Sequence, residues 1–231
     1  MGNFLVIGGS SGIGNELVKR LSDKGQKVWA TYNENKIDST SDYSFEHLDV
    51  LDENLNLDFV PEVLDGLVYC PGSINLKPFT RIKEEDFVAD FRLQVLGAIK
   101  VIKAVLPNLK KSTNPSIVLF STVAVQNGFP FHSQVSTSKG AIEGLTRSLA
   151  AELAPRIRVN CIAPSLTDTP LASKILSSDE RKESNAQRHP LKRIGNVGDI
   201  ASMADFILGE DASWLTGQIF HVDGGMSSLK V

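Results

Sequence analysis

The sequence is poor in cysteine, in aromatic residues and in long apolar runs, and it carries no surplus of positive charge. Its two cysteines, Cys70 and Cys161, stand far apart in a chain of 231 residues. That excludes a disulfide framework and a CxxC zinc knuckle, leaves no metal site in view, and fits a reducing cytoplasm. No apolar stretch approaches the length that spans a bilayer, and no basic segment leads into a long apolar one near the start. Neither a secreted nor a membrane protein is expected. The opening MGNFLV offers Gly2 for myristoylation, but Val6 stands where Ser or Thr is required, and FLVI reads as a strand. Lys and Arg number 24 against 27 Asp and Glu, a formal net charge of -3. Without a basic field, nucleic acid and anionic membranes are excluded as main partners, while nucleotide-sized ligands stay open. No linker, internal repeat or low-complexity tract divides the chain, so one domain over residues 1–231 is expected.

What is present is an alternation. Short runs rich in Val, Ile and Leu recur at 4–7, 27–31, 43–48, 66–70, 116–121, 157–163 and 218–222, with helical patterns over 12–24, 84–109, 134–153 and 197–208 between them. Near-continuous apolar strands separated by helices predict a parallel sheet covered on both faces, a doubly wound α/β domain of Rossmann type. Residues 164–195, polar and weakly patterned, read either as a lid over a site or as a solvated helical excursion.

After the first strand comes GGSSGIG, residues 8–14, leading straight into a helix. Gly8, Gly12 and Gly14 permit a tight turn and close backbone approach, and the helix start offers unpaired amides to a pyrophosphate. The spacing is GxxxGxG, and Asn15 stands where a Walker A motif has lysine, so a dinucleotide is preferred to an NTPase reading. At the end of the second strand, ATYNEN (30–35) has no acid before Glu34. A 2'-phosphate meets no repulsion there, and Ser10, Ser11, Thr31, Asn33 and Lys36 supply donors or charge. NADP is therefore expected, with NAD not excluded.

The segment HSQVSTSKGAIEGLTRSL (132–149) runs into a helix whose apolar residues Ile142, Leu145, Leu149 and Leu153 define one stripe, with Ser133 as N-cap. Lys139 falls in its first two turns, near the positive end of the helix dipole, where solvent or a negative partner must favour it. Ser136, Gly140, Gly144 and Ser148 form a stripe of small residues that admits another helix, either within the chain or from a second copy.

These motifs together resemble the short-chain dehydrogenase/reductase family over nearly the whole chain. GGSSGIG is similar to the family's TGxxxGIG, LDV (48–50) to the segment whose acid contacts adenine, RVNCIAPSLTDTP (158–170) to VNxIxPGxxxT, and IFHVDGG (219–225) to its last strand and turn. The resemblance implies hydride transfer between a nicotinamide and a small carbonyl or alcohol, using Asn, Ser, Tyr and Lys. It assigns Ile13, Asp49, Val50, Cys70, Pro71, Gly72, Pro164, Thr167 and Thr169 to the cofactor, Lys139 to the nicotinamide ribose, Thr122 to the serine and Gln94 to the asparagine. It also implies a homodimer or homotetramer. Val135 stands at the tyrosine, four positions before Lys139, and has no proton to give. His132, an imidazole just before the helix, is the substitute acid of first choice, followed by Tyr69 and Ser136. Two functions remain: an oxidoreductase with an altered proton donor, or a catalytically silent NAD(P)-binding sensor or scaffold.

Overall fold

The computed structural model describes residues 1–230. Seven strands, β1 (Asn3–Ile7), β2 (Lys27–Tyr32), β3 (Tyr43–His47), β4 (Gly66–Tyr69), β5 (Ser116–Phe120), β6 (Arg158–Pro164) and β7 (Ile219–Val222), pair in parallel in the order β3, β2, β1, β4, β5, β6, β7. The helices are α1 (Gly12–Asp23), α2 (Glu84–Phe91), α3 (Gly97–Leu109), α4 (Ala124–Asn127), α5 (Ser133–Leu153), α6 (Asp179–Ala186) and α7 (Val197–Leu208). This is the single α/β domain that the alternation predicted.

The two-residue period of the strands divides the core. Leu5, Ile7, Leu67, Ile117 and Leu119 meet Val101, Val105, Ile142 and Ala150 from α3 and α5. Phe4, Val6, Val68, Val118 and Ile162 meet Leu17, Leu21, Ile200 and Ile207 from α1 and α7. Because both faces of the inner strands are buried, most positions of β1, β4 and β5 carry apolar side chains, which is why they read as continuous runs. The chain proceeds outward from β1 to β3 and then returns to lay β4 on the other side of β1. That reversal opens a crevice at the carboxyl ends of β1 and β4, where ligands of such sheets bind.

Two helices differ from their predicted form. The pattern over 84–109 predicts one helix, but a π-helical turn at Arg92–Leu96 separates α2 from α3 and turns Gln94 and Val95 inward. The extra residue per turn is invisible to a 3.6-residue period. At α5 the helix begins on Ser133 itself; His132 takes the cap position without a side-chain bond, and the Ser133 hydroxyl is buried without a partner. The most buried line of α5 runs through Val135, Ser138, Ile142, Thr146 and Ala150, while Leu145, Leu149 and Leu153 lie partly buried beside it. Ser138 and Thr146 broke the apolar pattern in the sequence. Thr146 is tolerated there because its hydroxyl donates to the Ile142 carbonyl at 2.8 Å.

Candidate active site

Two hollows meet at the carboxyl end of the sheet. One, of about 400 Å³, is lined by Gly8, Ser10, Ser11, Gly12, Gly14, Asn33, Val50 and Pro71 among others. The second, of about 290 Å³, lies above β5 and β6 and takes Gln94, Thr122, His132, Val135, Lys139 and Pro164 into its wall. Ile13, Cys70, Gly72, Thr169 and Leu171 belong to both, so the hollows form one continuous trough.

The first hollow depends on absent side chains. Gly8 and Gly12 hold φ of 73° and 52°, conformations that disfavour other residues. A Cβ on Gly14 would lie 2.4 Å from the Gly8 carbonyl oxygen. The start of α1 carries no acid in its first turn, and the Ser10, Ser11 and Asn33 side chains make no hydrogen bond among the described residues. This cradle fits a pyrophosphate and leaves donors for a further phosphate. Glu34 also lines it. Thr31 lines the hollow from a buried position, and its hydroxyl oxygen accepts from the Gly8 amide at 3.0 Å, so it also braces the turn. Two further expected contacts, Asp49 and Lys36, fall outside the lining. Asp49 lies outside the lining, its carboxylate accepting from the Leu51 amide at 2.8 Å, while its neighbours Leu48 and Val50 form the wall. Lys36 is exposed and apart from the hollow.

In the second hollow the polar groups converge on Gly72. A Cβ there would lie 3.3 Å from Gln94 Oε1 and 3.6 Å from Lys139 Nζ. Only glycine leaves this space open, which accounts for it in the turn after β4. Gln94 is 1% exposed; its Nε2 donates to both Asp90 oxygens at 2.7 and 2.8 Å, and its Oε1 is buried without a partner. Ser73 Oγ donates to the same carboxylate. An orphaned carbonyl oxygen beside an ammonium costs stability unless a ligand or water completes it. Burial lowers the Lys139 pKa to about 8, against the opposing influence of Cys161, Asp90 and Cys70. Asp90, which was not among the sequence-derived candidates, acts on Lys139 through its charge, its oxygens being taken by Gln94 and Ser73. Its signal was present as a carboxylate four positions before Gln94, the spacing that places two residues on one helical face.

Thr122 is held from both sides, with the Ser121 amide donating to the Ile162 carbonyl at 2.7 Å and the Val123 amide to Pro164 at 3.1 Å. Its oxygen accepts from the Ala124 amide at 3.3 Å, leaving the hydroxyl proton free for a substrate oxygen. Thr169 accepts from the Ala172 amide, whereas Thr167 donates its proton to the Ser165 carbonyl at 3.0 Å, so its hydroxyl is spent on its own turn.

Against known proteins, the family model described as Enoyl-(Acyl carrier protein) reductase matches residues 8–227. A 3-oxoacyl-[acyl-carrier-protein] reductase of Thermotoga maritima is 30% identical, over 96% of each chain. A tropinone reductase homolog of Arabidopsis thaliana is 32% identical, over 97% of this chain and 92% of its own. The solved structure described as ElxO with NADP bound superposes with a TM-score of 0.90 at 29% identity, covering 99% of this chain and 100% of that one. The chain belongs to the short-chain dehydrogenase/reductase family.

In this short-chain dehydrogenase/reductase, Val135 is buried in the cavity wall one helical turn from Lys139. Of the three substitute acids weighed from the sequence, two are corrected. Tyr69 is buried away from the cavity, donates to the Leu93 carbonyl at 2.6 Å, and has its pKa raised by burial. Ser136 donates to the Ala124 carbonyl at 3.2 Å. His132 does reach the cavity wall, with Nδ1 facing the Pro130 carbonyl at 2.8 Å and its ring edge-on to Phe129. Residues 164–195 fold into a short helical turn and α6, and Leu171, Ala172, Ile175, Asn185, Arg188 and His189 close one side of the cavity. His189 and Ser165, absent from the sequence-derived candidates, are the additions of the structure.

Among the described residues, no helix is long and apolar enough to cross a membrane.

Proposed function

We propose that this member of an oxidoreductase family reduces a small carbonyl compound, or oxidises the corresponding alcohol, with NADP as cofactor, in the cytoplasm. The observation that carries the reading is the junction of the two hollows at Gly72, where Gln94 Oε1 and Lys139 Nζ stand beside a glycine cradle that fits a dinucleotide. When bound, the cofactor supplies or accepts the hydride. Lys139 holds the nicotinamide ribose and, as an ammonium, favours the anionic ligand; Gln94 offers its orphaned carbonyl to the water or hydroxyl beside Lys139. Thr122 polarises the substrate oxygen. Pro164, Thr167 and Thr169, which line the cavity, would hold the nicotinamide end of the cofactor. With valine at position 135, the proton comes from a group other than the phenol of the family pattern, His132 being the candidate read from the sequence, and residues 164–195 serve as the lid.

Fluorescence titration with NADPH and NADH tests this. NADPH is expected to bind at least tenfold tighter, through Asn33, Ser10 and Ser11. Preference for NADH would assign the ribose end to Glu34 instead, and binding of neither would overturn the reading. Val135 also supports a second function, a silent cofactor-binding sensor or scaffold, which NADPH binding without turnover of any carbonyl would favour. A homodimer or homotetramer belongs to the same proposal: a Cβ at Gly144 would meet nothing within 4 Å, and one at Gly140 only Val125 at 3.8 Å, so this face of α5 has room for a second helix.

A further inference from the structure

Ser165 stands where the motif of the family resemblance has glycine, just as Val135 stands where it has tyrosine. One hydroxyl is missing from the cavity and another has been added to it. Ser165 Oγ lies 2.8 Å from His189 Nε2, and His189 Nδ1 lies 2.9 Å from the Asn185 carbonyl oxygen. A carbonyl only accepts, so Nδ1 carries the hydrogen and Nε2 presents a lone pair to the serine. The second neighbour of Oγ, Met226 Sδ at 3.2 Å, is a weak acceptor and does not compete with that nitrogen. His189 is 2% exposed and fixed between the end of α6 and the turn after β7, where a Cβ on Gly224 would lie 3.6 Å from its own Cβ. Ser165 is pinned through its amide to Val222 and its carbonyl to Thr167, and it remains half-buried on the cavity side. A hydroxyl, a base within hydrogen-bond reach and a third group that orients the base make a built acid–base arrangement.

We infer that Ser165, recharged by His189, delivers the proton to the substrate oxygen in place of the missing phenol. The placement favours it over His132. Pro164, the residue before Ser165, accepts from the amide of Val123, the residue after Thr122, so the two hydroxyl-bearing residues occupy adjoining positions on β6 and the end of β5. His132 instead precedes α5 and packs against Phe129 at the cavity wall. In the reducing direction the carbonyl carbon receives the hydride of the reduced nicotinamide. His189 first takes up a proton at Nε2 from water, so that Nε2 donates to Ser165 Oγ; the carbonyl oxygen then takes the Ser165 hydroxyl proton as Oγ takes the proton on Nε2. The alcohol leaves, and neutral His189, still donating from Nδ1 to Asn185, regains its proton from water.

The inference rests on the oxidoreductase reading, so its test has an arm that needs no cofactor. Phenylmethanesulfonyl fluoride modifies a serine whose proton an adjacent base can take, and peptide mass spectrometry locates the label. Ser165 is expected to be labelled in the wild-type protein and at least tenfold more slowly in His189→Gln. An unlabelled Ser165, or a label indifferent to His189, overturns the inference. In single-turnover oxidation of NADPH with 9,10-phenanthrenequinone as the carbonyl probe, Ser165→Ala and His189→Gln are expected to slow the reaction on the order of a hundredfold. NADPH affinity should be unchanged, and Ser165→Thr should restore part of the rate. If His132→Gln abolishes turnover while the other two variants keep it, His132 is the donor and the inference is wrong. A wild-type protein that is labelled at Ser165 but binds no NADPH overturns the oxidoreductase reading, and the relay falls with it. One that binds NADPH without reducing the quinone favours the silent cofactor-binding reading, and the relay falls with it; quinone turnover that Ser165→Ala and His189→Gln leave intact overturns the relay alone.

Discussion

NADPH affinity is expected to fall as the pH rises through about 8, and Lys139→Met is expected to lose both that pH dependence and most of the affinity. The folded-state pKa of Lys139 is lowered to about 8 chiefly by burial. Below that pH the ammonium is present before the anionic cofactor arrives; above it, a proton must be taken up on binding, which weakens affinity by up to about tenfold per pH unit. Removing the ammonium should cost on the order of a hundredfold in Kd, the worth of a charge-assisted hydrogen bond in a confined site. Asp90→Asn should move the fall to lower pH, because the Asp90 carboxylate is one of the groups that hold the proton on Lys139. Stability runs in the opposite sense. The unfolded lysine keeps its proton to the ordinary 10.5, whereas the folded one releases it near 8, so stability attributable to this group rises with pH across that interval. Lys139→Met should therefore melt no lower than the wild type at neutral pH. Fluorescence titrations from pH 7 to 9 beside thermal melts decide the matter: an affinity flat in pH, or a methionine variant that binds normally, would remove Lys139 from the cofactor site.

Gly14→Val is expected to destabilise the fold by about 2–4 kcal/mol and to leave no measurable NADPH binding. A Cβ at this position would sit 2.4 Å from the Gly8 carbonyl oxygen and 3.1 Å from the Gly9 Cα, both main-chain atoms that no rotamer change can clear. The start of α1 would have to withdraw from β1, and the Leu17 and Leu21 contacts beneath the sheet would loosen with it. Denaturant unfolding measures the loss; a variant of wild-type stability that binds NADPH would show that the turn has slack the packing does not reveal.

The fold and the cofactor half of the trough were legible because they depend on local pattern. Continuous apolar strands require two covered faces, and Gly8, Gly12 and Gly14 declare a close backbone approach. Donor commitments were not legible. Thr31 has the right residue type at the right strand end, yet its oxygen is taken by the Gly8 amide, a partner 23 positions away. Tyr69 ends the correct strand, but its ring enters the core and its hydroxyl finds Leu93. The π-helical turn that aims Gln94 inward has no periodic signature. Ser165 and His189 escaped the sequence because their pairing is made across 24 positions that include α6, a contact that no local pattern announces.

The reversal of chain direction at β1 also dictates when the trough can exist during folding. Strands β1, β2 and β3 are laid down in succession by nearby segments, but β4 must return to place Gly66–Tyr69 against Phe4–Ile7, and β6 must arrive beside β5 before Thr122 is braced. Each of these pairings closes a long loop before any contact repays its entropy. The glycine turn is local, but the complete trough is a product of late, non-local assembly, and dinucleotide binding during refolding should appear with the final phase and not with the first burst of secondary structure.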